Sequence, residues 1–185
     1  MKIVALLGSP RVNGNTSYLT DQALAEAGRL GIETEKIVLA QYQIHPCQGH
    51  DGCEDFASCP QEDDTEIVVQ KLFEADGVIL ATPVYFQDVT SQLKTFIDRT
   101  HFHWYHDRKM RATCAGTIVV ATRSGIEDTT KALAYFITRR SSIGAEQILK
   151  VHGFARREGQ IRDNVPVVEE ASRLGITMAE ALLAR

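Results

Sequence analysis

The sequence predicts an α/β fold, a doubly wound sheet of five parallel strands with helices on both faces. Short apolar runs alternate with helix-periodic stretches from one end of the chain to the other. Each run is apolar at consecutive positions rather than at every second one, as in strands covered on both faces. The first run, residues 3–7, breaks into the polar loop Gly8-Ser9-Pro10-Arg11 and reopens as a helix near Thr16, a strand-to-helix loop suited to binding an anion.

After that strand the helix covers about 16–30, with Leu19, Ala23, Leu24, Ala27 and Leu30 on one face and Gly31 closing it. Residues 36–39 form a second, buried strand, and an irregular stretch runs from 40 to 62. Asp63 and Glu66 have the spacing of a capping box and start a helix that continues to 75. Strand three, 77–82, ends at Pro83. Thr90 caps a helix that turns Leu93, Phe96 and Ile97 inward, and a polar, aromatic loop over 101–111 follows. Strand four is 117–121, and the loop 122–125 opens a helix striped by Leu133, Phe136 and Ile137. Residues 147–152 form strand five. Pro166 starts the last helix, with Val167, Ala171, Leu174, Met178 and Leu182 as its stripe. No repeat or low-complexity segment interrupts this order, so residues 1–185 read as one domain with an irregular insertion at about 41–62.

Composition removes several function classes. Hydrophobic residues at 44% and charged residues at 24% are those of a soluble globule with a real core. A net charge of −4 leaves no electrostatic footprint for nucleic acid, and Arg139-Arg140 and Arg156-Arg157 are isolated pairs. The N-terminal apolar run is too short for a signal peptide and no run spans a membrane, so a cytoplasmic location is expected.

The loop after strand one carries most of the chemistry. Ser9, Thr16 and Ser17 supply hydroxyls, Asn13 and Asn15 amides, and Arg11 the one cationic side chain, around a helix start whose N–H groups favour an anion. A Walker A loop is excluded: five residues separate Gly8 from Gly14, and Asn15 stands where its Lys belongs. The dinucleotide fingerprint fails as well, with Pro10 and Asn13 at two of its glycine positions and no acidic residue at the tip of strand two. What remains suits a phosphate monoester.

Three segments complete the reading: Gly8-Ser9-Pro10-Arg11 with Gly14-Asn15-Thr16, then Thr82-Pro83-Val84-Tyr85-Phe86, then Leu93-Lys94-Thr95-Phe96-Ile97-Asp98-Arg99. In this order they resemble the NAD(P)H-dependent FMN reductase family of the flavodoxin-like fold, and within it the iron–sulfur flavoprotein-like branch. The resemblance spans nearly the whole chain. It implies strand order 2-1-3-4-5, bound FMN at the carboxyl ends of the strands, NAD(P)H as co-substrate and a second electron acceptor. By the same resemblance, Ser9, Arg11, Asn15, Thr16 and Ser17 match the phosphate loop, and Pro83, Val84, Tyr85 and Phe86 run along the isoalloxazine edge. Thr122, Arg123, Ser124 and Gly125 occupy the third loop, where relatives often carry two glycines. The flavin carries the hydride chemistry, so no catalytic side chain is assigned. Lys94 and Asp98-Arg99 also match the family, and equally read as helix-surface charges and a structural ion pair. The resemblance further implies a homodimer or homotetramer.

The insertion holds Cys47, His50, Cys53 and Cys59 ahead of Asp63-Asp64. Iron–sulfur flavoproteins that resemble this chain place four Cys in this register, and here His50 takes the second position. Three thiolates and an imidazole suit zinc or an iron–sulfur cluster, while unmetallated thiols or a labile Cys pair fit the same spacing. Cys114, alone at a strand start, reads as inert core. His101-Phe102-His103-Trp104-Tyr105-His106 lacks carboxylate or Cys at ligand spacing and reads as a lid or subunit-contact loop.

The leading expectation is an NAD(P)H:FMN oxidoreductase acting on a quinone, an azo or nitro compound, a metal ion or free flavin. The alternatives are an electron carrier that docks a redox protein, favoured by a loaded cluster, and a non-catalytic flavin-dependent interaction module.

Overall fold

A computed structural model describes residues 1–185. Five parallel strands, β1 (Lys2–Leu7), β2 (Glu33–Val38), β3 (Gly77–Pro83), β4 (Cys114–Ala121) and β5 (Leu149–Phe154), form one sheet in the order β2-β1-β3-β4-β5. The helices are α1 (Asn15–Arg29), α2 (Thr65–Phe73), α3 (Ser91–Arg99), α4 (His101–Tyr105), α5 (Ile126–Arg140) and α6 (Val165–Leu183). None is long and apolar enough to cross a membrane.

The strand periodicity divides the core into two halves. Ile3, Ala5 and Leu7 point to the face covered by α1 and α6, where they meet Leu19, Ala23, Leu174 and Met178. Val4 and Leu6 point the other way, to Leu72, Leu93, Phe96, Leu133 and Ile137 from α2, α3 and α5. Helices α1 and α6 approach so closely that a Cβ on Gly175 would lie 1.9 Å from the Ala23 carbonyl oxygen.

The expected order of elements and the strand order both hold, and the differences are local. Strand β2 begins three residues earlier than its apolar stretch, because Glu33, Thr34 and Glu35 pair along an edge where one side is wet. Leu39 falls into a short 3₁₀ turn instead of the strand. Strand β5 starts and ends two residues later than expected, since a 3₁₀ turn takes Gln147. The capping box does not form. Asp63 Oδ1 accepts from the Thr65 N–H, and the Glu66 carboxylate turns outward to Arg108 and His103. The expected loop at 101–111 contains helix α4, because His103 packs inward beside Phe73, with Phe102 against its ring, and draws the segment into a turn.

Residues 42–62 remain irregular apart from a 3₁₀ turn at Cys53–Asp55. The base of this insertion is pinned on both sides. Asp64 and Asp63 accept from the N–H groups of Gln43 (2.7 Å) and His45 (2.9 Å), and Gln61 Nε2 donates back to Pro46 O at 3.0 Å.

Candidate functional site

Three loops converge at the carboxyl ends of β1, β3 and β4. The first follows β1. The Gly8 N–H donates to Ala81 O (2.8 Å), and the Thr90 hydroxyl, which also caps α3, donates to Gly8 O (2.6 Å). Glycine is required there, since a Cβ would lie 2.8 Å from Leu93 Cβ. Ser9 Oγ accepts from the Arg11 N–H, and Gly14 donates to Arg11 O, which closes the loop onto α1.

Helix α1 begins at Gly14 with no side-chain cap and no acidic residue in its first turn, so the N–H groups of Asn15, Thr16 and Ser17 have no acceptor in the chain. Thr16 is 2% exposed, and its hydroxyl makes no hydrogen bond within the protein. Arg11 is exposed and forms no ion pair. A monoester dianion fits this set of unpaired donors. Asn15 and Ser17 are used differently from the expectation. Asn15 Nδ2 donates to Arg157 O (2.8 Å) and its Oδ1 accepts from the Ile161 N–H, tying down the loop after β5. Ser17 Oγ donates to Val12 O (2.6 Å) and accepts from Lys36 Nζ. These two side chains build the loop, and their N–H groups remain without an acceptor in the chain.

The second loop is a tight hairpin. Tyr85 and Asp88 exchange two backbone hydrogen bonds, at 2.9 and 3.1 Å, across Phe86 and Gln87. Both central residues have positive φ, +51° and +69°, which is a type I′ turn built without glycine. Left-handed conformations at non-glycine residues cost roughly 1–3 kcal/mol each, and such strain concentrates at functional sites. Pro83 and Val84 are half-buried, whereas Tyr85 and Phe86 are exposed, Phe86 completely so.

The third loop locks onto the second. Gln87 Nε2 donates to Ser124 Oγ at 3.0 Å, and Gly125 takes φ +90°. A Cβ on Gly125 would stand 2.7 Å from both Gln87 Oε1 and Val84 Cγ1, so glycine is required where the second and third loops meet. Thr122, Arg123 and Ser124 are exposed beside it. Gln87 carried no sequence signal; only the turn gives it a role.

Around the insertion the structure gathers thiols without closing them into a coordination sphere. The thiol of Cys53 is raised above its ordinary value by burial and then by the neighbouring Cys47 and Cys59. Cys47 Sγ accepts from the Gly49 N–H (3.4 Å), and Cys59 Sγ accepts from the Arg99 guanidinium (3.7 Å). Such N–H···S contacts suit thiolates. The His50 ring lies edge-on to Phe56. No group of three His, Cys, Asp or Glu side chains is drawn together as a metal-holding set.

Arg99 organises this region. It is buried, ion-paired with Asp63, and donates to His45 O (2.9 Å) and Gln61 O (3.2 Å). Burial opposes ionisation of Asp63, but the Arg99 guanidinium and the N–H groups of Thr65 and His45 outweigh it and hold the carboxyl at about 2. Arg99 therefore pairs outside its own helix, while Lys94 and Asp98 form an exposed i,i+4 pair. In α4, burial lowers His103 to about 4 despite Glu66 nearby, and His106 Nε2 lies 3.1 Å from Cys53 O, bracing the insertion. Burial pushes the Cys114 thiol up to about 11, which suits an inert core position.

Residues 1–143 match the NADPH-dependent FMN reductase family. The chain is 33% identical over 189 residues to an iron–sulfur flavoprotein of Methanocaldococcus jannaschii, covering 98% of this chain and 97% of that protein. It is 35% identical over 181 residues to one from Archaeoglobus fulgidus, covering 98% and 80%. Among solved structures, an NAD(P)H:quinone oxidoreductase of Methanothermobacter marburgensis superposes with a TM-score of 0.74 at 15% identity, over 95% of this chain and 94% of that one, and shares the fold. With the flavodoxin-like strand order, the anion-ready loop after β1 and a family match over most of the chain, the chain belongs to the NADPH-dependent FMN reductases, a family of flavoprotein oxidoreductases.

Proposed function

We propose that the protein binds FMN at the three converging loops and passes electrons from NAD(P)H to a small-molecule acceptor. The observation that carries this reading is the unpartnered hydroxyl of Thr16, a residue 2% exposed, beside three free N–H groups. Bound FMN would supply the hydride chemistry. The chain's own residues have the binding tasks. Thr16 and the N–H groups of residues 15–17 hold the phosphate, with Arg11 closing over it and Ser9, whose hydroxyl donates to Arg11 O at 3.3 Å, shaping the loop. The backbone of Pro83, Val84, Tyr85 and Phe86 borders the ring on one side and that of Thr122, Arg123, Ser124 and Gly125 on the other. Over a full cycle NAD(P)H loses a hydride to become NAD(P)⁺. The acceptor leaves with two electrons and two protons, one proton coming from solvent.

A second reading has a specific observation behind it. Hydrogen bonds already reach the sulfurs of Cys47 and Cys59, and the relatives are named iron–sulfur flavoproteins. On that reading Cys47, His50, Cys53 and Cys59 hold an iron–sulfur cluster or zinc, and the protein is an electron carrier that docks a redox partner. We read the working form as a cytoplasmic homodimer or homotetramer of this single flavin-binding unit.

Cofactor released by denaturation and identified by mass tests the main reading. FMN is expected; FAD, or no flavin after reconstitution, overturns it. Steady NAD(P)H turnover with a quinone separates the enzyme from the carrier.

A further inference from the structure

Helix α1 meets a lysine at its positive end. Ile37 packs on the α2–α3–α5 face of the sheet and Val38 on the α1–α6 face, so alternation along β2 places Lys36 on the side that α1 covers. There its ammonium makes two contacts one helical turn apart. Nζ donates to Ser17 Oγ at 3.0 Å and to Asp21 Oδ1 at 2.6 Å. An ion pair on the helix flank explains only the second contact, and exposed pairs of that kind contribute little. The first contact brings a cation to the opening turn of α1, where the N–H groups of residues 15–17 already form the positive pole and no acidic residue offsets them. A cation is favoured at the other end of a helix and disfavoured at this one. An anion ahead of the helix reverses that sign.

We propose that Lys36 is a positioning residue for the cofactor phosphate, acting through Ser17, and that Asp21 attenuates its charge. The proposal rests on the flavin reading above and adds a second cation to a site whose own loop supplies only Arg11. The two cations differ in kind. Arg11 is exposed and without an ion pair, whereas the Lys36 side chain is 23% exposed and held at both contacts. Ser17, 1% exposed, passes the constraint on: its hydroxyl accepts from Lys36 and donates to Val12 O at 2.6 Å. That fixes the first turn of α1 against the loop before it, with the Ser17 N–H left without an acceptor. Asp21 stands one turn, about 5.4 Å, further from the helix start. Its side chain is 51% exposed, so it weakens the field of the ammonium at the first turn without cancelling it.

The test compares the Kd for FMN with that for riboflavin, which lacks the phosphate, in the parent and in Lys36→Met, Lys36→Arg and Asp21→Asn. Lys36→Met keeps the aliphatic stem without the charge. It should raise the FMN Kd about fivefold and move the riboflavin Kd by less than about twofold. Lys36→Arg keeps the charge and should return FMN to within about twofold of the parent. Asp21→Asn releases the ammonium from its counter-charge and should lower the FMN Kd about twofold. A pair that merely holds the loop gives the opposite sign for Asp21→Asn and equal losses for both flavins. The proposal is therefore overturned by an unchanged FMN Kd in Lys36→Met, by a loss that riboflavin shares equally, by a Lys36→Arg value as weak as that of Lys36→Met, or by an FMN Kd in Asp21→Asn that does not fall. Should Lys36→Met fail to fold, the sign in Asp21→Asn decides alone. A parent protein that binds no flavin, or binds FMN no better than riboflavin, overturns the flavin-phosphate reading itself, and this proposal with it.

Discussion

The Arg99 guanidinium and the Asp63 carboxylate meet as an ion pair whose side chains are 2% and 1% exposed. They are 36 residues apart, and the insertion that carries three of the four cysteines ends just before Asp63. Arg99 also donates to carbonyls on both sides of that insertion, so one charge on α3 anchors both of its ends.

Removing either partner should be severe. Asp63→Ala leaves Arg99 buried and unpaired, and the loss of one member of a buried pair costs about 3–5 kcal/mol. Denaturant unfolding measures this, and hydrogen exchange should show the insertion opening before α1. A loss below about 1 kcal/mol would mean that water replaces the carboxylate and that the pair is not what holds the insertion.

Acid should act in two stages. His103 is held at about 4, below its ordinary 6.5, so the unfolded chain binds more protons between these values. Stability should therefore fall as pH drops from about 6.5 towards 4, by on the order of 2 kcal/mol. Asp63, held at about 2, contributes stability above its ordinary 3.8 that is lost as pH falls towards 2. His103→Gln should remove the first stage and leave the second. Imidazole signals followed by NMR would contradict this account if His103 titrated near 6.5.

The donors of the first loop should separate phosphate from ring. Thr16→Val and Arg11→Ala should each weaken FMN binding by about 1–3 kcal/mol, the range for hydrogen bonds to charged groups, and affect riboflavin much less. Asn15→Ala frees the loop after β5 and should weaken both ligands alike. Titration by flavin fluorescence distinguishes the two patterns; equal losses in Thr16→Val would return that hydroxyl to a structural role.

Gly125→Ala should have the opposite signature. Its Cβ would meet Gln87 and Val84 at a left-handed position, prising the second and third loops apart. FMN and riboflavin should both lose about 1–3 kcal/mol, because the damage falls at the ring end. Binding unchanged for both would show that the two loops give way without affecting the ring.

The insertion yields an analytical prediction. Protein purified without air should contain iron with sulfide, or zinc, and His50→Cys should shift occupancy towards a four-iron cluster. Elemental analysis of both proteins decides it. Less than about a tenth of an equivalent of metal in each would leave Cys47, Cys53 and Cys59 as thiols of a surface loop.

The sequence by itself determined the element order and the place of the first loop, because both are local. Consecutive apolar residues at 3–7 and 77–82 and the helical stripes at 19–27 and 133–137 state which faces are buried, and a βα loop rich in small donors is written within ten residues. Element ends were less legible. Strand β2 extends over Glu33, Thr34 and Glu35 because it pairs with β1, and α4 forms because His103 finds Phe73, neither of which is visible in the local pattern. Only the tertiary structure decided how side chains were divided between building the site and serving it. Asn15 looked like a phosphate ligand until the loop after β5 came within reach of it. Arg99 looked like a helix-surface charge until Asp63 met it. Gln87 looked like nothing until a strained turn brought it to Ser124. Each of these contacts joins residues tens of positions apart, and a hydrogen bond of about 3 Å is set by how the helices and loops pack, which no local periodicity encodes.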